Sequence, residues 1–291
     1  MHDRVRLGKN FKIVGKQWHS DHTFSLWLEA RHIAEAFRPG QFVMVRIDKM
    51  GERIPLTVAA VDDSRSRIRL VVQAVGFTTR HLSRLTESDH LLDVVGPLGK
   101  PIEVRKYPGP ILGVAGGVGA APLLPQLKAY RHAGNRIMTI LGARNARQLL
   151  LVDELREVSD KLYLTTDDGS FERKGLVTEV MAEVIDSGVK PSLIVAIGPP
   201  IMMKLTCELA VSRGFPVTAS LNPVMVDGTG MCGGCRVTVG DETYFACVDG
   251  PDFDGSKVNW GELMARLGTY NSQEKYLADH HCRVGGGRVA I

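Results

Sequence analysis

The fold of this chain is decided by the stretch Pro110-Ile111-Leu112-Gly113-Val114-Ala115-Gly116-Gly117-Val118-Gly119-Ala120-Ala121-Pro122. Its first half is a continuous apolar run, which is typical of a parallel strand covered on both faces. The glycines that follow give a tight turn whose amides can approach a pyrophosphate, and Pro122 suits the first turn of a helix. Because the spacing is not G-x-G-x-x-G, a purely structural turn between strand and helix is the alternative interpretation.

The pattern on the C-terminal side of this stretch alternates between strand and helix candidates. Such alternation predicts a doubly wound α/β domain, which we expect to span residues 105–213. The predicted strands after the first are 136–141, 161–165 and 193–197, and the predicted helices are 122–132, 149–158, 177–185 and 201–212.

A second turn of interest is Gly198-Pro199-Pro200-Ile201-Met202-Met203, directly after the strand 193–197. Ligands of open α/β sheets bind outside the carboxyl ends of the strands, so this turn is a second candidate for nucleotide binding. A helix start with proline at its first position is the alternative.

Residues 1–104 are rich in short β-prone runs separated by turn residues, which predicts an antiparallel barrel or sandwich. One helix is expected to begin near Thr78, and the breaker-rich segment 96–101 is expected to mark a boundary. The predicted strands are 11–14, 23–28, 41–47 and 68–73.

Two sites in this β-rich region have side chains suited to anions. Arg53 can pair with a phosphate in bidentate fashion, and the Thr57 hydroxyl can reach a ring nitrogen, although both residues can equally be solvated strand positions. Thr78 and Thr79 open the predicted helix, where they can bind an anion or act as plain N-terminal caps.

The third region, 214–291, contains a cysteine cluster and a tail that we expect to be mostly helical. Asp227, Cys232, Cys235 and Cys247 follow the spacing D-x4-C-x2-C-x11-C within a glycine-rich loop. Plant-type [2Fe–2S] proteins use C-x4-C-x2-C…C, with cysteine where this chain has aspartate. An odd number of cysteines in a reducing compartment argues against a disulfide framework.

Alternatives remain for this cluster. A zinc site can also be built from a C-x2-C pair with a later cysteine and an aspartate. Asp227 can instead be a turn-forming residue beside an open iron position. Cys207 in a predicted helix and Cys282 in the tail are expected to be packing or surface residues.

Composition and charge exclude several classes of protein. The formal net charge is +4 and no run of Lys and Arg reaches five residues, so nucleic-acid or membrane-surface binding is not indicated. No transmembrane stretch and no apolar signal-peptide core is present, and a cytoplasmic protein is expected.

Taken together, the motifs resemble the ferredoxin-NADP reductase superfamily. The resemblance rests on Pro39-Gly40-Gln41-Phe42, Arg53…Thr57, Gly76…Thr79, the stretch 116–122 and Gly198-Pro199…Met202. The loop 227–235, called the cysteine loop below, together with Cys247 makes the chain similar to the branch of dihydroorotate dehydrogenase electron-transfer subunits. Within that branch, the runs 220–235 and 245–251 are most similar to small subunits of NADH-dependent reduced ferredoxin:NADP⁺ oxidoreductases, in which an aspartate replaces the first cysteine.

The resemblance implies an FAD-binding barrel, an NAD(H)-binding α/β domain and a small C-terminal [2Fe–2S] lobe. It places Arg53 on the FAD pyrophosphate, Thr57 at the isoalloxazine as the catalytic residue, and a larger flavin and iron–sulfur subunit as the partner, with ferredoxin reached indirectly. The further cofactor-binding residues implied are Pro55, Leu56, Val71, Gln73, Gly76, Thr78 and Thr79 for FAD, and Gly116, Gly117, Val118, Gly119, Gly198, Pro199 and Met202 for the nucleotide. The implied metal ligands are Asp227, Cys232, Cys235 and Cys247.

Two departures from the superfamily pattern affect the expected sites. Arg53 lies four residues before Thr57, where relatives commonly have R-x-x-[ST], and Ile197 stands where many relatives have cysteine. Arg144 and Arg147 can grip a 2′-phosphate, but we favour surface arginines and NADH as the substrate.

The function expected is hydride exchange with NADH and electron transfer to the partner in a ferredoxin:NADP⁺ oxidoreductase, which bifurcates electrons in one version of this hypothesis. The alternatives are a dihydroorotate dehydrogenase electron-transfer subunit, a sulfide dehydrogenase subunit, and a zinc-stabilised nucleotide-binding module without redox activity.

Overall fold

A computed structural model describes residues 11–270 together with 272, 273 and 276. The first unit is an antiparallel sheet with two short helices. Its strands are β1 (Phe11–Ser20), β2 (Thr23–Glu29), β3 (Phe42–Arg46), β4 (Arg53–Val61), β5 (Arg67–Gln73), β6 (His90–Leu91) and β7 (Asp93–Leu98), and its helices are α1 (Arg31–Ala36) and α2 (Phe77–Leu82).

The sheet curves into a nearly closed barrel. Its strand order is β6-β1-β2-β5-β4-β3-β7, so β6 and β7 stand at opposite ends although one residue separates them in the chain. The segment 90–98 therefore pairs with both edges and leaves little unpaired backbone. The barrel expected from the sequence is confirmed.

The barrel interior follows the two-residue period of its strands. Phe24, Leu26 and Leu28 of β2 lie opposite Val72, Leu70 and Ile68 of β5, and these side chains are buried. A one-residue slip would turn this whole set outward, so burial fixes the register.

Four elements of the barrel were not anticipated: α1, β4, β6 and β7. The first half of β4 contains Pro55, which cannot donate to a ladder, but β5 pairs with β4 from Val58 onwards. The breaker-rich segment predicted as a boundary begins inside β7, because Gly96 to Leu98 complete that strand against β3.

The second unit is a parallel sheet flanked by helices. Its strands are β8 (Ile111–Gly116), β9 (Ile137–Ala143), β10 (Lys161–Thr166), β11 (Leu193–Ile197) and β12 (Val217–Ser220), and its helices are α3 (Ala120–His132), α4 (Val152–Val158), α5 (Val177–Asp186) and α6 (Pro200–Ser212).

Three short strands and two helices complete the described chain. They are β13 (Arg236–Val239), β14 (Glu242–Phe245), α7 (Ala246–Asp249), β15 (Asp252–Asp254) and α8 (Trp260–Leu267). Helix α8 agrees with part of the expected helical tail. Cys282 and the rest of that tail lie outside the described residues.

The large sheet has the order β10-β9-β8-β11-β12-β15, with β15 antiparallel to β12. The parallel strands thus run third, second, first, fourth and fifth along the sheet, and the direction of winding reverses between β8 and β11. This confirms the doubly wound domain, and the reversal marks the crevice where such sheets bind ligands.

Helix boundaries differ from expectation at two places. Helix α3 begins at Ala120, so Pro122 is its third residue and still lies in the first turn, where its missing N–H costs nothing. A 3₁₀ turn occupies 146–148, and Leu151 adopts φ +54°, so α4 begins at Val152 and not near Leu149.

The units share cores. Ala59 and Val71 of the barrel are buried among residues of β8 and α3, and Arg69 forms a 2.9 Å ion pair with Glu154 of α4. The C-terminal lobe packs into the core beneath the parallel sheet through side chains such as Val237 and Phe253. Within the part of the chain that the structure describes, no helix has the length and apolar character needed to cross a bilayer.

Candidate functional site

The two glycine turns expected to bind a nucleotide meet at the crevice between β8 and β11. Ala115 and Ile197 are paired at the carboxyl ends of these strands, so the turns that follow lie side by side. A Cβ on Gly119 would overlap the carbonyl oxygen of Ile197, so glycine is required for α3 to begin this close to β11. The two interpretations of this turn, one required by packing and one that binds a nucleotide, are therefore compatible.

Gly117 differs from Gly119 in its surroundings. It has φ +53°, and no neighbouring heavy atom lies within 4 Å of the position that a Cβ would take. The backbone at Gly117 is thus open for a ligand to approach.

The side chain of Met202 bridges the two turns. Its sulfur lies 2.6 Å from the position of a Cβ on Gly116, and its methyl carbon lies 2.9 Å from that of a Cβ on Gly198. Pro199 lies beside Gly116 as well, 2.9 Å from the same position. A flexible thioether thus forms one wall of the crevice, between the residues expected to hold the nucleotide.

The loops after β9 and β10 lie at the same edge of the sheet as the glycine turns, because β8, β9 and β10 are parallel. The amides of Asp167 and Asp168 donate to the carbonyls of Ala143 and Arg144 at 3.0 and 3.2 Å. Arg144, Asp167 and Asp168 are exposed there, and Arg147 follows nearby in the chain. The two aspartates were not predicted as site residues, although an acidic residue near a strand end is the usual partner of a ribose hydroxyl in NAD sites.

The residues expected to bind the flavin lie along the first half of β4. Thr57 is paired with Phe42 and Pro55 with Met44 across the β3–β4 ladder. The Arg53 guanidinium lies 3.9 Å from the Asp93 carboxylate, with both side chains partly exposed. Leu56 is half-buried and packs against the barrel core.

Helix α2 brings the second set of expected flavin residues. The Thr79 hydroxyl accepts from the amides of Val75 and Gly76 at 3.1 and 3.0 Å, which makes it a local cap. The Thr78 hydroxyl donates to Glu52 at 3.2 Å. Thr78 is therefore close to the turn that precedes β4, whereas the Thr79 hydroxyl caps the N-terminus of α2.

Two further expected residues lie on β5. Val71 is buried in the core shared with the α/β domain, and Gln73 is half-buried at the strand end. Val71 thus lies where the barrel meets the α/β domain.

The cysteine loop is shaped by glycines and by one carboxylate. Gly228, Gly230 and Gly233 have φ of +78°, +86° and +65°, which side chains other than glycine rarely adopt. The Asp227 carboxylate accepts from the amides of Thr229 and Cys232, each at 2.8 Å.

These two hydrogen bonds define the charge state of Asp227. The Thr229 amide, followed by that of Cys232, holds the pKa of the Asp227 carboxyl below its ordinary value, so the group is ionised at neutral pH. An ionised carboxylate can both organise the turn and donate to a metal.

The thiols lie on this loop and on α7. The sulfurs of Cys235 and Cys247 are 3.1 Å apart and buried, whereas Cys232 is exposed. Burial, followed by the neighbouring Cys235, raises the pKa of the Cys247 thiol to about 12, so a metal has to displace its proton. Cys207 is buried in α6, against Gly255.

Backbone amides are directed at two of the sulfurs. Gly234 N–H donates to Cys232 Sγ and Cys247 N–H donates to Cys235 Sγ, each at 3.4 Å. Three thiols, one carboxylate and N–H···S bonds on a glycine-rich loop fit an iron–sulfur cluster. Among the described residues, no group of three or more such side chains already converges as a metal site; the cysteines come together as a pair.

The cysteine loop contacts the barrel beside β4. A Cβ on Gly228 would overlap Met44 of β3 and would lie 2.9 Å from Leu98 of β7. Since Met44 is paired with Pro55 of β4, one strand separates the cysteine loop from the residues expected to bind the flavin.

Comparisons with known proteins agree with this geometry. Residues 222–259 match the model of the iron–sulfur cluster binding domain of dihydroorotate dehydrogenase B, and residues 114–208 match that of the oxidoreductase NAD-binding domain. The cysteine loop and the glycine turns lie within these two matches.

Relatives and solved structures extend the match to nearly the whole chain. A homologue of the dihydroorotate dehydrogenase B electron-transfer subunit from Thermotoga maritima is 48% identical over 94% of this chain and 96% of its own. A probable electron-transfer subunit of the same enzyme from Methanocaldococcus jannaschii is 39% identical over 77% of this chain and 82% of its own.

Among solved structures, a chain of an NADH-dependent reduced ferredoxin-NADP oxidoreductase, studied for flavin-based electron bifurcation, is similar with a TM-score of 0.88. It is 47% identical and covers 94% of this chain and 98% of its own. The chain described here belongs to the family of dihydroorotate dehydrogenase B electron-transfer subunits, NAD(H)-dependent oxidoreductase subunits with a ferredoxin reductase fold.

Proposed function

We propose that this chain is the FAD- and [2Fe–2S]-containing subunit that oxidises NADH, or reduces NAD⁺, and exchanges electrons with a larger flavin and iron–sulfur subunit in a ferredoxin:NADP⁺ oxidoreductase. The observation that carries the proposal is the contact of Gly228 with Met44, which sets the cysteine loop one strand away from β4. The similarity to a chain of such an oxidoreductase supports the choice of system.

The first half of β4 and the start of α2 would hold FAD. FAD accepts a hydride and releases electrons one at a time, which suits it to link a nicotinamide to an iron–sulfur cluster. Arg53 would bind the pyrophosphate, and to do so it would exchange Asp93 for phosphate oxygens. Thr57 would lie at the isoalloxazine.

The crevice between β8 and β11 would bind NADH. The open backbone at Gly117 and the N-terminus of α3 suit the pyrophosphate. Met202 would lie against the nicotinamide end, because its side chain bridges Gly116 and Gly198. The α3–β4 packing brings this crevice to the flavin strand, so the nucleotide and the flavin can meet there.

We infer a preference for NADH over NADPH. Asp167 and Asp168 are exposed beside Arg144, and a carboxylate accepts from a ribose 2′-hydroxyl but repels a 2′-phosphate. Arg144 and Arg147 would then be surface residues.

Asp227, Cys232, Cys235 and Cys247 would hold the [2Fe–2S] cluster. A cluster of this type passes single electrons, which suits the outlet from a flavin. The buried pair Cys235 and Cys247 would provide one side of the site, and Asp227 with the exposed Cys232 the other.

A second candidate is the electron-transfer subunit of dihydroorotate dehydrogenase B itself, which is favoured by the match of residues 222–259. The aspartate at 227 argues for the first system, because cysteine is the usual residue at this position of the cluster loop. Electron bifurcation would then take place with the larger subunit, in the cytoplasm.

The test is a visible spectrum of anaerobically purified protein, with flavin, iron and zinc contents, before and after NADH is added. Flavin and iron–sulfur bands that bleach together with NADH, and weakly with NADPH, are expected. A colourless zinc protein would sink the proposal. The two candidate systems are separated by offering the NADH-reduced protein a ferredoxin:NADP⁺ oxidoreductase large subunit or a dihydroorotate dehydrogenase catalytic subunit.

A further inference from the structure

Two arginines donate hydrogen bonds to the turn between Cys232 and Cys235. Arg236 Nη1 donates to the carbonyl of Gly233 at 3.0 Å, and Arg266 Nη2 donates to the carbonyl of Gly234 at 2.9 Å. Both carbonyls of the Gly-Gly pair are thus bonded by guanidinium groups. Charge-assisted hydrogen bonds of this kind are stronger than those between neutral partners.

Arg266 comes from α8, which lies beyond the residues matched by the iron–sulfur family model. The helix is held by its own sequence: the Asn259 side chain accepts from the Glu262 amide at 3.1 Å as an N-cap, and Trp260 and Leu263 are buried. Residues three apart share a helix face, so burial of Leu263 turns Arg266 toward the lobe.

The core that receives α8 is the one that contains the cysteines. Trp260 and Leu263 belong to the same buried cluster as Cys235 and Cys247, and α8 lies against β13. The position of Arg266 is therefore fixed by the packing of the cysteine lobe itself.

The two arginines act on the peptides nearest the sulfurs. The Gly233 carbonyl shares a peptide group with the Gly234 N–H that donates to Cys232 Sγ at 3.4 Å. The Gly234 carbonyl shares one with the amide of Cys235. Hydrogen bonds in series polarise one another, so each guanidinium makes the peptide beside a sulfur more electropositive.

The arginines differ in exposure. Arg236 is exposed, whereas Arg266 is half-buried. Solvent and salt screen an exposed charge more than a partly buried one, so the charge of Arg266 is screened less than that of Arg236.

We propose that Arg266 is a positioning residue of the iron–sulfur site, which fixes the Cys232–Cys235 turn from α8 and raises the reduction potential of the cluster. The inference rests on the proposed function. One-electron reduction adds a negative charge to the cluster, and a nearby cation stabilises that charge. Arg236 acts in the same direction with a smaller effect.

The experiment is a mediated redox titration of the full-length protein, followed by the EPR signal of the reduced cluster, with dithionite as reductant. Arg266→Gln is expected to lower the one-electron equilibrium constant for cluster reduction about tenfold, equal to ~59 mV. Arg236→Gln should give a smaller decrease, and Arg266→Lys, which keeps the charge, a change below about threefold.

The matched control is Lys257→Gln. It removes the same charge from the same lobe, at an exposed residue that pairs with Asp254, and should leave the potential unchanged. Potentials of Arg266→Gln and Lys257→Gln that both equal the wild-type value, with wild-type iron content, would overturn the inference.

If the Arg266→Gln variant does not bind iron, the other variants decide the test of the inference. Arg266→Lys at the wild-type potential together with a lowered potential in Arg236→Gln would support the inference, and an unchanged potential in Arg236→Gln would overturn it. Wild-type protein without iron would instead overturn the proposed function.

Discussion

The two glycine-rich loops of this chain, the nucleotide turn 116–119 and the cysteine loop 227–235, are built in opposite ways. The nucleotide turn is fixed by the sheet, because Gly119 packs against the Ile197 carbonyl where β8 and β11 end. The cysteine loop is shaped by side chains: Asp227 bonds two amides, and Arg236 and Arg266 bond two carbonyls. The fold alone shapes the first loop, whereas the second loop depends on its own polar contacts and, under the proposed function, on its cluster.

The largest effect should come from removing a thiol of the cysteine loop. Cys235→Ser should abolish iron binding, because hydroxyl is a poor ligand for iron–sulfur chemistry and the buried partner Cys247 is left alone. Iron and sulfide assays of anaerobically purified protein measure this. Cys207→Ala, which changes a buried thiol of α6, is the control and should retain full iron content.

Substitutions in the turn 116–119 should lower the stability of the fold and not the iron content. Gly119→Ala forces a methyl group into the Ile197 carbonyl and should destabilise the protein by about 3 kcal/mol, measured by urea unfolding. Gly117→Ala is the matched control: it meets no neighbour and should cost about 1 kcal/mol for its left-handed φ. Equal losses for the two variants would contradict a turn fixed by packing.

A third test concerns the contact between α3, the helix that follows the turn 116–119, and β15, the strand that follows the cysteine region. Gln126 of α3 donates to both Asp252 carboxylate oxygens at 3.2 and 3.1 Å, and burial raises the pKa of Asp252 to about 6. The folded protein then binds this proton more tightly than the unfolded chain between about pH 4 and 6, so its stability falls as pH rises through that window.

The expected size of this loss is roughly 2 kcal/mol, and Asp252→Asn should remove it. Urea unfolding of both proteins at pH 4.5 and 7.5 measures the difference. Parallel behaviour of the wild type and the variant would assign the pH dependence to other groups.

The smallest effect should come from the loops that border the nucleotide crevice. Asp168→Ser should reduce the preference for NADH over NADPH about tenfold in kcat/KM, because it removes a charge that repels a 2′-phosphate. Ser170→Ala is a useful control, since it removes the hydroxyl that bonds both the Ala146 amide and the Asp168 carboxylate but keeps that carboxylate. A ratio that changes equally in both variants would point to the loop fold and not to the carboxylate.

The fold could be predicted largely because its strands carry clear patterns. The apolar run of β8 and the alternation of strands and helices indicated the α/β domain, and the order of the strands agrees with it. Strands β4 and β7 could not be predicted because Pro55 and Gly96-Pro97 contradict local strand preference, and pairing with β3 at these residues overrides that preference.

The site was predictable only where its residues adjoin in sequence. The cysteine spacing and the glycine turns were apparent, but Arg266 acts on Gly234 from a distant helix, and Asp252 meets Gln126 across two elements. Such contacts arise from tertiary packing, so no local pattern announces them. The assignment of every site residue to the flavin, the nucleotide or the cluster, including Thr57 and Asp227, stays a prediction.

The register of β12 with β15 determines where the cysteine loop joins the sheet. Ser220 lies opposite Asp252, so everything between them leaves the sheet and returns to it at one point. A segment whose ends are adjacent can be gained or lost with a loop-closure cost that grows only with the logarithm of its length. The cysteine loop is therefore a single excursion between two neighbouring strand ends, so a change in its length leaves the order of the strands in the sheet unaltered.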